Sequence, residues 1–346
     1  MGKQHVTFSD IARYTNFSKT TISRYFNRPD SLTPENQERI RQALIDLNYK
    51  ENKVAKILAK GQTEFVGILV PNLYQHYFSE MLNQILLTYE EFGYKFLVFV
   101  GNENEEVEKR YLEELMSYQI EGLIIMSHTI PSAELKELPC PIVSIEREDE
   151  YISSVNCDNY MGAIQATRLL VRHGCDVLIH VNSPTSENTP AFQRIQGFRD
   201  FCRENSIRHE IIVKNMGVTH STVSPAMRRI LTEIEERYPY ERKGIFFSDD
   251  TRANEFLNLL VRQYGTLPDS YRIVGFDNSP IAETAVFPIS TVGQQIDVIA
   301  RTAVKLLVEL IRQKKEHPQE PLEIRHQVIM PVLYQRETTE YIGQGY

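Results

Sequence analysis

Beyond residue 64, short apolar runs alternate with amphipathic stretches, and this alternation constrains the fold more than any other feature of the chain. The apolar runs, each of strand length, occupy 65–71, 95–100, 121–126, 141–145, 176–181, 243–248 and 272–277. Helical spacing recurs between them near 78–92, 104–118, 160–173, 191–205, 221–237 and 249–264. Strands that alternate with helices form parallel sheets covered by helices. The sequence therefore predicts an α/β body.

The length of this region predicts two lobes. It runs from residue 64 to near the end of a 346-residue chain, which is more than one sheet of ordinary size requires. Gly93, Gly174 and Gly265 end three of the predicted helices, as expected of C-caps that lead into strands. Because ligands bind such sheets at the carboxyl ends of the strands, we expect a ligand site in the cleft between the lobes.

Charge is divided unevenly along the chain. The net charge is −8, yet residues 1–62 hold eleven Lys or Arg against six acids, which gives +5 and leaves −13 for the remainder. A basic segment joined to an acidic body is typical of a polyanion-binding module attached to a domain that binds something else. The first 62 residues are therefore candidates for nucleic-acid binding.

Residues 7–48 carry the signals of three short helices. The start signals are the capping-box pair Thr7 and Asp10, the cap Ser18, and the TPEN stretch at 33–36. Two helices joined by about three residues, with a third packed behind them, form a helix-turn-helix. A further stretch at 52–60 is too short to form a stable helix alone.

The second helix of this motif, SKTTISRYFN, is polar over most of its circumference. Ile22 and Phe26 share one face, whereas Thr20, Arg24 and Asn27 lie roughly opposite. Such a helix is anchored along one thin stripe and offers hydrogen-bond donors elsewhere. Taken alone, such a face is more often simply solvated. A recognition helix is the alternative, because a major groove admits one helix and Arg binds guanine through two hydrogen bonds.

Ordered motifs extend over nearly the whole chain. The head reads VTFSDIARYTNFSKTTISRYFN and then LTPENQERIRQALIDLNYKENKVAKILA. The body contains, in order, VGILVPN, HYFSEM, EGLII, VNCDNYMGA, QRIQGF, SDD, RIVGFDNSP and PISTVGQQ. In content and order these motifs resemble the lactose/galactose repressor (LacI/GalR-type) family of bacterial transcriptional regulators. The resemblance implies an all-α head that reads a pseudo-palindromic operator as a dimer. It also implies a two-lobed body, similar to periplasmic sugar-binding proteins, with parallel sheets and a small effector between the lobes.

The resemblance implies how the chain is divided. The segments are a head at 1–50, a hinge helix at 51–62, an N-terminal lobe at 63–158 and 291–321, and a C-terminal lobe at 159–290 and 322–340. Leu58 in the hinge matches the family position that inserts into the minor groove and kinks the duplex. A linker leucine covered by the body is the alternative.

The resemblance also assigns DNA contacts. The residues matched to base reading are Lys19, Thr20 and Arg24, and those expected to hold phosphates are Ser18, Thr21, Ser23 and Asn27. The turn commonly written Ala-Gly-Val in the family reads Thr-Asn-Phe here, and its Asn16 tolerates a left-handed backbone.

In the cleft, the family's aromatic platform is matched by Tyr77 and Phe78 and its polar clamps by Arg194 and Asp250. An arginine, a carboxylate and an aromatic face suit the vicinal hydroxyls of a sugar. Asp249 stands where the family commonly has Asn, and we expect it to cap the following helix. Further candidates for ligand binding are Asp158, Asn159, Asn188, Asp277 and Gln294. For Asp277, a structural role is equally open. Because purine-binding members carry an extra arginine at the position of Asn188, a nucleobase is disfavoured.

Motifs of other protein classes are missing from the sequence. It contains no GxSxG, HExxH, P-loop or dinucleotide-binding pattern, its nine histidines are dispersed, and its four cysteines include no CxxC. We therefore expect no catalysis, metal or cofactor, and free thiols. No stretch approaches the roughly 18 apolar residues of a membrane span, and the N-terminus lacks the apolar core of a signal peptide. We expect a cytoplasmic protein without a membrane partner.

These observations support one leading hypothesis. It is a homodimeric repressor of a carbohydrate-utilisation operon, released from double-stranded operator DNA by a small sugar. A regulator of the same family that a corepressor activates remains open, because the sign of the response is not encoded in any motif. From other classes, a sugar-binding protein without a regulatory role and a sugar-processing enzyme are the alternatives.

Overall fold

The computed structural model describes residues 6–50, 63–187 and 189–340, and the chain divides into two compact units, residues 1–62 and 63–346. The first unit contains the helices α1 (Phe8–Thr15), α2 (Lys19–Asn27) and α3 (Pro34–Asp46). Their caps confirm the sequence prediction. Asp10 Oδ2 accepts from Thr7 N at 2.9 Å, Ser18 Oγ accepts from Thr21 N at 3.0 Å, and Asn16 adopts the left-handed φ of 58°.

A small apolar core holds the three helices together. Ile11, Ile22 and Ile40, one from each helix, are fully buried. Phe26 packs on the same core and stacks on Phe8 with ring centroids 5.1 Å apart. The predicted apolar stripe of α2 is therefore confirmed, and its opposite face is left to solvent.

The second unit contains two lobes, each built on a six-stranded sheet. In the described residues the strands are β1 (Phe65–Val70), β2 (Lys95–Val100), β3 (Gly122–Ile125), β4 (Ile142–Ile145), β5 (Ser153–Cys157), β6 (Val177–Asn182), β7 (His209–Val213), β8 (Lys243–Phe247), β9 (Tyr271–Asp277), β10 (Ser290–Gly293), β11 (His326–Ile329) and β12 (Val332–Tyr334). The helices are α4 (His76–Leu87), α5 (Tyr89–Phe92), α6 (Glu105–Ser117), α7 (Ser132–Leu135), α8 (Asn159–Arg172), α9 (Phe192–Glu204), α10 (His220–Arg237), α11 (Asp250–Tyr264), α12 (Pro280–Thr284) and α13 (Ile296–Glu316). The predicted alternation of strands and helices is confirmed.

Both sheets are predominantly parallel. The first has the order β11-β5-β4-β3-β1-β2 and is parallel throughout. The second has the order β12-β10-β9-β8-β6-β7, in which only β12 runs antiparallel to its neighbour β10. Because the strands are parallel, their carboxyl ends gather at one edge of each sheet.

Sheet membership differs from the predicted lobe segments. Residues 291–293 were assigned to the N-terminal lobe, but they belong to β10, which pairs with β9 in the second sheet. Residues 326–329 were assigned to the C-terminal lobe, but they form β11, which pairs with β5 in the first sheet. The chain thus passes between the lobes after β5, after β10 and after β11. Both misplaced strands have only four residues, and β11 is a half-exposed edge, so neither carries the long apolar run of a central strand.

The helix α13 escaped sequence prediction although it has 21 residues. Its apolar positions, including Ile299, Ala303 and Leu307, are buried against the first sheet. Gly93, Gly174 and Gly265 take left-handed φ values of 65–78° at helix ends, as predicted. Across residues 6–50, 63–187 and 189–340, no helix is both long and apolar enough to cross a membrane.

Candidate recognition helix and interlobe cleft

The exposed face of α2 presents three side chains without partners. Lys19, Thr20 and Arg24 are exposed, and none makes a side-chain hydrogen bond or an ion pair within the part of the chain that the structure describes. Thr20 and Arg24 are four residues apart and therefore share one side of the helix. Their donors are free to contact another molecule.

The other polar residues of α2 are engaged locally. Ser18 and Thr21 share a hydrogen bond of 2.8 Å between their hydroxyls, and Asn27 Nδ2 donates to the Ser23 carbonyl at 2.9 Å. Local bonds of this kind fix the side chains at the two ends of the helix. The division between phosphate-binding and base-reading residues stays a prediction. Leu58 and the hinge lie outside the described residues.

A cleft of about 670 Å³ lies between the two lobes of the body. The first lobe lines it with residues that follow the ends of β1, β2, β3 and β4, namely Pro71, Gln75, Tyr77, Phe78, Glu103, His128, Thr129 and Glu146. The second lobe contributes Asn182–Ser186, Thr189, Ala191, Arg194, Asn215, Gly217, Val218, Ser248, Asp249, Arg252 and Asp277, and Gln294 follows β10. The predicted position at the carboxyl ends of the strands is confirmed.

Arg194 anchors the polar part of the cleft. It lies on α9, and its guanidinium packs over the Phe276 ring at 3.8 Å from the centroid. Its Nε donates to Asn159 Oδ1 at 2.6 Å, Nη1 to the Ser248 carbonyl at 2.5 Å, and Nη2 to Glu146 Oε2 at 3.5 Å. These bonds hold the planar guanidinium fork of Arg194 in one orientation at the cleft wall.

Glu146 is a cleft residue that sequence reasoning missed. It follows β4 with a φ of 58°, and it is buried. Its Oε1 accepts from Cys157 N at 2.8 Å and its Oε2 from Asn159 Nδ2 at 2.9 Å. The available signal was its position, because Glu146 is the first polar residue after an apolar strand whose carboxyl end faces the cleft.

Asp249 both caps α11 and lines the cleft. Its Oδ1 accepts from Arg252 N at 2.9 Å, which confirms the predicted capping role, and its Oδ2 forms an ion pair with the Arg252 guanidinium. Burial opposes its ionisation, but the Arg252 charge and the hydrogen bonds from Arg252 and Ser248 outweigh burial and lower the pKa of Asp249. Gln75 Nε2, from the other lobe, lies 3.5 Å from Asp249 Oδ2.

Asp250, predicted as the ligand carboxylate, does not line the cleft. Its side chain is completely buried, its Oδ2 accepts from Ser279 N at 2.8 Å, and its Oδ1 accepts from Thr291 Oγ1 at 2.6 Å. This placement contradicts the predicted role. Successive residues of a helix point about 100° apart, so only one of two adjacent carboxylates faces the ligand, and here it is Asp249.

Asp277 and Gln294 line the cleft together. Gln294 Nε2 donates to Asp277 Oδ1 at 2.7 Å, and Arg194 Nη1 lies 3.9 Å from the same oxygen. Asp277 has a φ of 109° and the next residue, Asn278, a φ of 54°, so the chain turns sharply after β9. Burial raises the pKa of Asp277 despite the nearby Arg194 charge.

Of the aromatic platform and the remaining candidate residues, some line the cleft and others lie behind its wall. Tyr77 and Phe78 line the cleft with their ring centroids 5.3 Å apart. Asp158 does not line it, because its Oδ1 accepts from Met161 N at 2.9 Å as the cap of α8. Asn159 is buried behind Arg194. Asn188 lies outside the described residues.

Three family models match the chain. Residues 7–52 match bacterial regulatory proteins of the lacI family, residues 63–223 match the periplasmic binding proteins and sugar binding domain of the LacI family, and residues 167–339 match a periplasmic binding protein-like domain. This chain belongs to the lacI family of bacterial regulatory proteins. The unit with α2 is accordingly its DNA-binding head, and the two lobes form its binding-protein-like body.

Similar proteins cover most of this lacI-family chain. The ribose operon repressor of Halalkalibacterium halodurans is 28% identical over 335 residues, which cover 96% of this chain and 97% of that protein. A periplasmic binding protein/LacI transcriptional regulator from Alkaliphilus metalliredigens, solved with D-xylulofuranose, is 26% identical with a TM-score of 0.69, covering 80% of this chain and 99% of that one. The lac repressor dimer bound to operator and the anti-inducer ONPF shares the fold, with a TM-score of 0.80 at 20% identity over 97% of this chain and 99% of that chain.

Several other cleft residues of this lacI-family protein were not predicted. Three of them lie at the last residue of a strand or within three residues after it, namely His128 after β3, Asn182 at the end of β6 and Ser248 after β8. That position is visible in the sequence once the strands are assigned. Arg252 gives no such signal, because only the structure shows that the first turn of α11 faces the cleft.

Proposed function

We propose that this protein is a homodimeric repressor of a carbohydrate-utilisation operon, and that a small sugar in the interlobe cleft releases it from operator DNA. The observation that supports the proposal is the cleft itself, whose lining combines Arg194, which lies between the Glu146 and Asp277 carboxyl groups, with the rings of Tyr77 and Phe78. This cleft belongs to a chain whose other unit exposes an unpaired, basic helix face. A binding site for a polyol and a surface for DNA are thus combined in one polypeptide.

The head of each copy places α2 in a major groove. Arg24 supplies a fork of donors for a base edge, and Lys19 and Thr20 lie at the amino end of the helix, where such helices contact bases. Two heads then read half-sites about one helical turn, or a multiple of it, apart. The predicted hinge at 51–62 lies outside the described residues, and its Leu58 stays the residue expected to enter the minor groove between the half-sites.

The body recognises the sugar through hydroxyl groups. Arg194 retains N–H donors beyond the three it uses internally, because a guanidinium has five. The Asp249 and Asp277 carboxyl groups form hydrogen bonds with ligand hydroxyls. The Phe78 ring offers an apolar face to the ligand. The ribose operon repressor and the xylulofuranose complex among the similar proteins support a sugar ligand.

The ligand changes DNA binding because the cleft is built from both lobes. A molecule that bridges Tyr77 of one lobe and Arg194 of the other favours one arrangement of the lobes over another. A ligand with different affinities for two arrangements shifts their populations, and DNA and sugar then alter each other's binding by the same factor.

The decisive experiment measures DNA affinity with and without sugar. A binding site is selected from randomised duplex DNA with the full-length protein, and its affinity is titrated in the presence of each sugar that raises the protein's melting temperature. We expect the selected site to contain two half-sites and its affinity to fall when the sugar is added. Tighter DNA binding on adding sugar would show that the sugar is a corepressor and not an inducer. A sugar that binds without changing DNA affinity would show that the body binds sugar without a regulatory role.

A further inference from the structure

The charge inventory of the cleft bears on what kind of sugar it accepts. Within the described residues, the carboxylates that line it are Glu103, Glu146, Asp249 and Asp277, and the lining guanidinium groups are Arg194 and Arg252. Burial and the Arg147 charge lower the pKa of His128 to about 4, so this imidazole is uncharged near neutral pH. Carboxyl groups thus outnumber cations at the ligand surface.

Neither arginine carries an unpaired charge. Arg252 forms an ion pair with Asp249, its Nη2 lies 3.4 Å from the Gly217 carbonyl, and its side chain is only 7% exposed. Arg194 is paired with Glu146 and is further bonded to Asn159 and to the Ser248 carbonyl. Both countercharges are buried with their arginines, so each positive charge is already neutralised inside the protein.

A phosphate or carboxylate needs the opposite arrangement. Proteins hold such anions with a guanidinium or ammonium group whose charge is free to pair with the ligand. In this cleft an anion would approach Glu146 and Asp249 at short range in partly buried surroundings, where repulsion between like charges is strong. Hydroxyl groups meet no such penalty, because they donate to carboxylates and accept from the spare N–H groups of Arg194.

We propose that the cleft takes an uncharged polyhydroxylated sugar and rejects the phosphorylated or carboxylated form of the same sugar. This inference rests on the proposed function of the cleft as the sugar site. The discrimination comes from the pairs Asp249–Arg252 and Glu146–Arg194, which leave no cation for an anionic group. The regulator therefore responds to the sugar before its phosphorylation rather than to its phosphate ester.

Matched ligand pairs test this proposal on the full-length protein. Calorimetric titrations compare D-ribose with ribose 5-phosphate, D-glucose with glucose 6-phosphate and gluconate, and D-fructose with fructose 6-phosphate, with inorganic phosphate as a further probe. We expect a neutral sugar to bind and its anionic partner to bind at least tenfold more weakly. An ester that binds more tightly than its parent sugar would overturn the inference while leaving the proposed function intact. Failure of every sugar and every ester to bind would instead contradict the proposed sugar site.

A charge variant tests the cause of the discrimination. Asp249→Asn keeps an N-cap residue, since Asn caps helices as well as Asp, but it removes the countercharge of Arg252. We expect the ratio of neutral-sugar affinity to ester affinity to fall at least tenfold in this variant. The matched control is Asp158→Asn, which alters the cap of α8 outside the cleft and should leave the ratio unchanged. An unaltered ratio in Asp249→Asn, with sugar binding retained, would refute the role of the paired arginines.

Discussion

Asp249 and Asp250 are adjacent in the sequence, yet only the Asp249 carboxylate lines the cleft, and the Asp250 carboxylate is enclosed in the second lobe. Asp250 accepts hydrogen bonds from Ser279 and Thr291, which lie after β9 and in β10. It therefore fixes the turn that carries Asp277 to the cleft. One aspartate contacts the ligand space, and its neighbour holds another ligand residue in position.

The first prediction concerns the pH dependence of stability. Burial raises the pKa of Asp250 from 3.8 to about 7. A group with a raised folded-state pKa contributes stability fully at pH values below its unfolded pKa, and that contribution is lost as pH rises through the folded pKa. Asp250→Asn cannot ionise. We expect the melting temperature of this variant, relative to that of wild type, to rise between about pH 4 and about pH 7 and to level off above this range. A difference that stays constant over this range would contradict the titration of Asp250.

A second prediction addresses base reading by α2. Arg24→Ala should weaken binding to the selected DNA site by about 1–3 kcal/mol and relax sequence preference at one position. The melting temperature should not change, because Arg24 is exposed. The control is Arg41→Ala on α3, which removes the same charge from a residue paired with Glu38. Equal loss of sequence preference in both variants would mean that only the charge of the head matters.

A third prediction concerns the independence of the head. Ile22→Ala removes a fully buried side chain from a core of few residues, and such truncations cost about 2–5 kcal/mol. A domain this small has little stability to spare. We expect DNA binding to be lost while calorimetric sugar binding is retained. Loss of sugar binding in this variant would show that the body depends on a folded head.

The fourth prediction tests the Arg194 fork. Arg194→Lys keeps a positive charge but cannot bond Asn159, Glu146 and the Ser248 carbonyl at the same time. Hydrogen bonds to charged groups contribute about 1.5–3 kcal/mol, so sugar affinity should fall by about one to two orders of magnitude. DNA affinity without sugar should be unchanged. Arg199→Lys on the same helix is the control, because Arg199 pairs with Asp200 away from the cleft. Equal sugar affinity in Arg194→Lys and wild type would show that Arg194 does not contribute to sugar binding.

Sequence reasoning succeeded where local chemistry decides the structure. The cap Ser18 and the buried stripe of Ile22 follow from spacing and residue type, and the left-handed Asn16 and the cap Asp249 follow from residue type at positions that the family motifs locate. Arg194, Asp277 and Gln294 were placed at the cleft through the family motifs that contain them.

Sequence prediction failed where contacts with segments distant in the chain determine the structure. Either of two adjacent aspartates can face a cleft, and the choice fell to Asp249 because Ser279 and Thr291, from segments much later in the chain, enclose Asp250. The lobe crossings were misplaced for a related reason, since strands of four residues such as β10 and β11 are defined by their partners more than by their own sequence. Glu146 was missed because its one signal, a position directly after an apolar strand, does not separate a ligand carboxylate from an ordinary one.

The central claim is that DNA binding by the head and sugar binding by the body are coupled. The affinity of sugar for the DNA-bound protein tests this claim most directly. The dissociation constant of the neutral sugar is measured by calorimetry for the free protein and for the protein saturated with its selected DNA site. Linkage requires DNA to weaken sugar binding by the same factor by which sugar weakens DNA binding. We predict a weaker sugar affinity in the DNA complex, with matching factors. Identical sugar affinities with and without DNA would contradict the account.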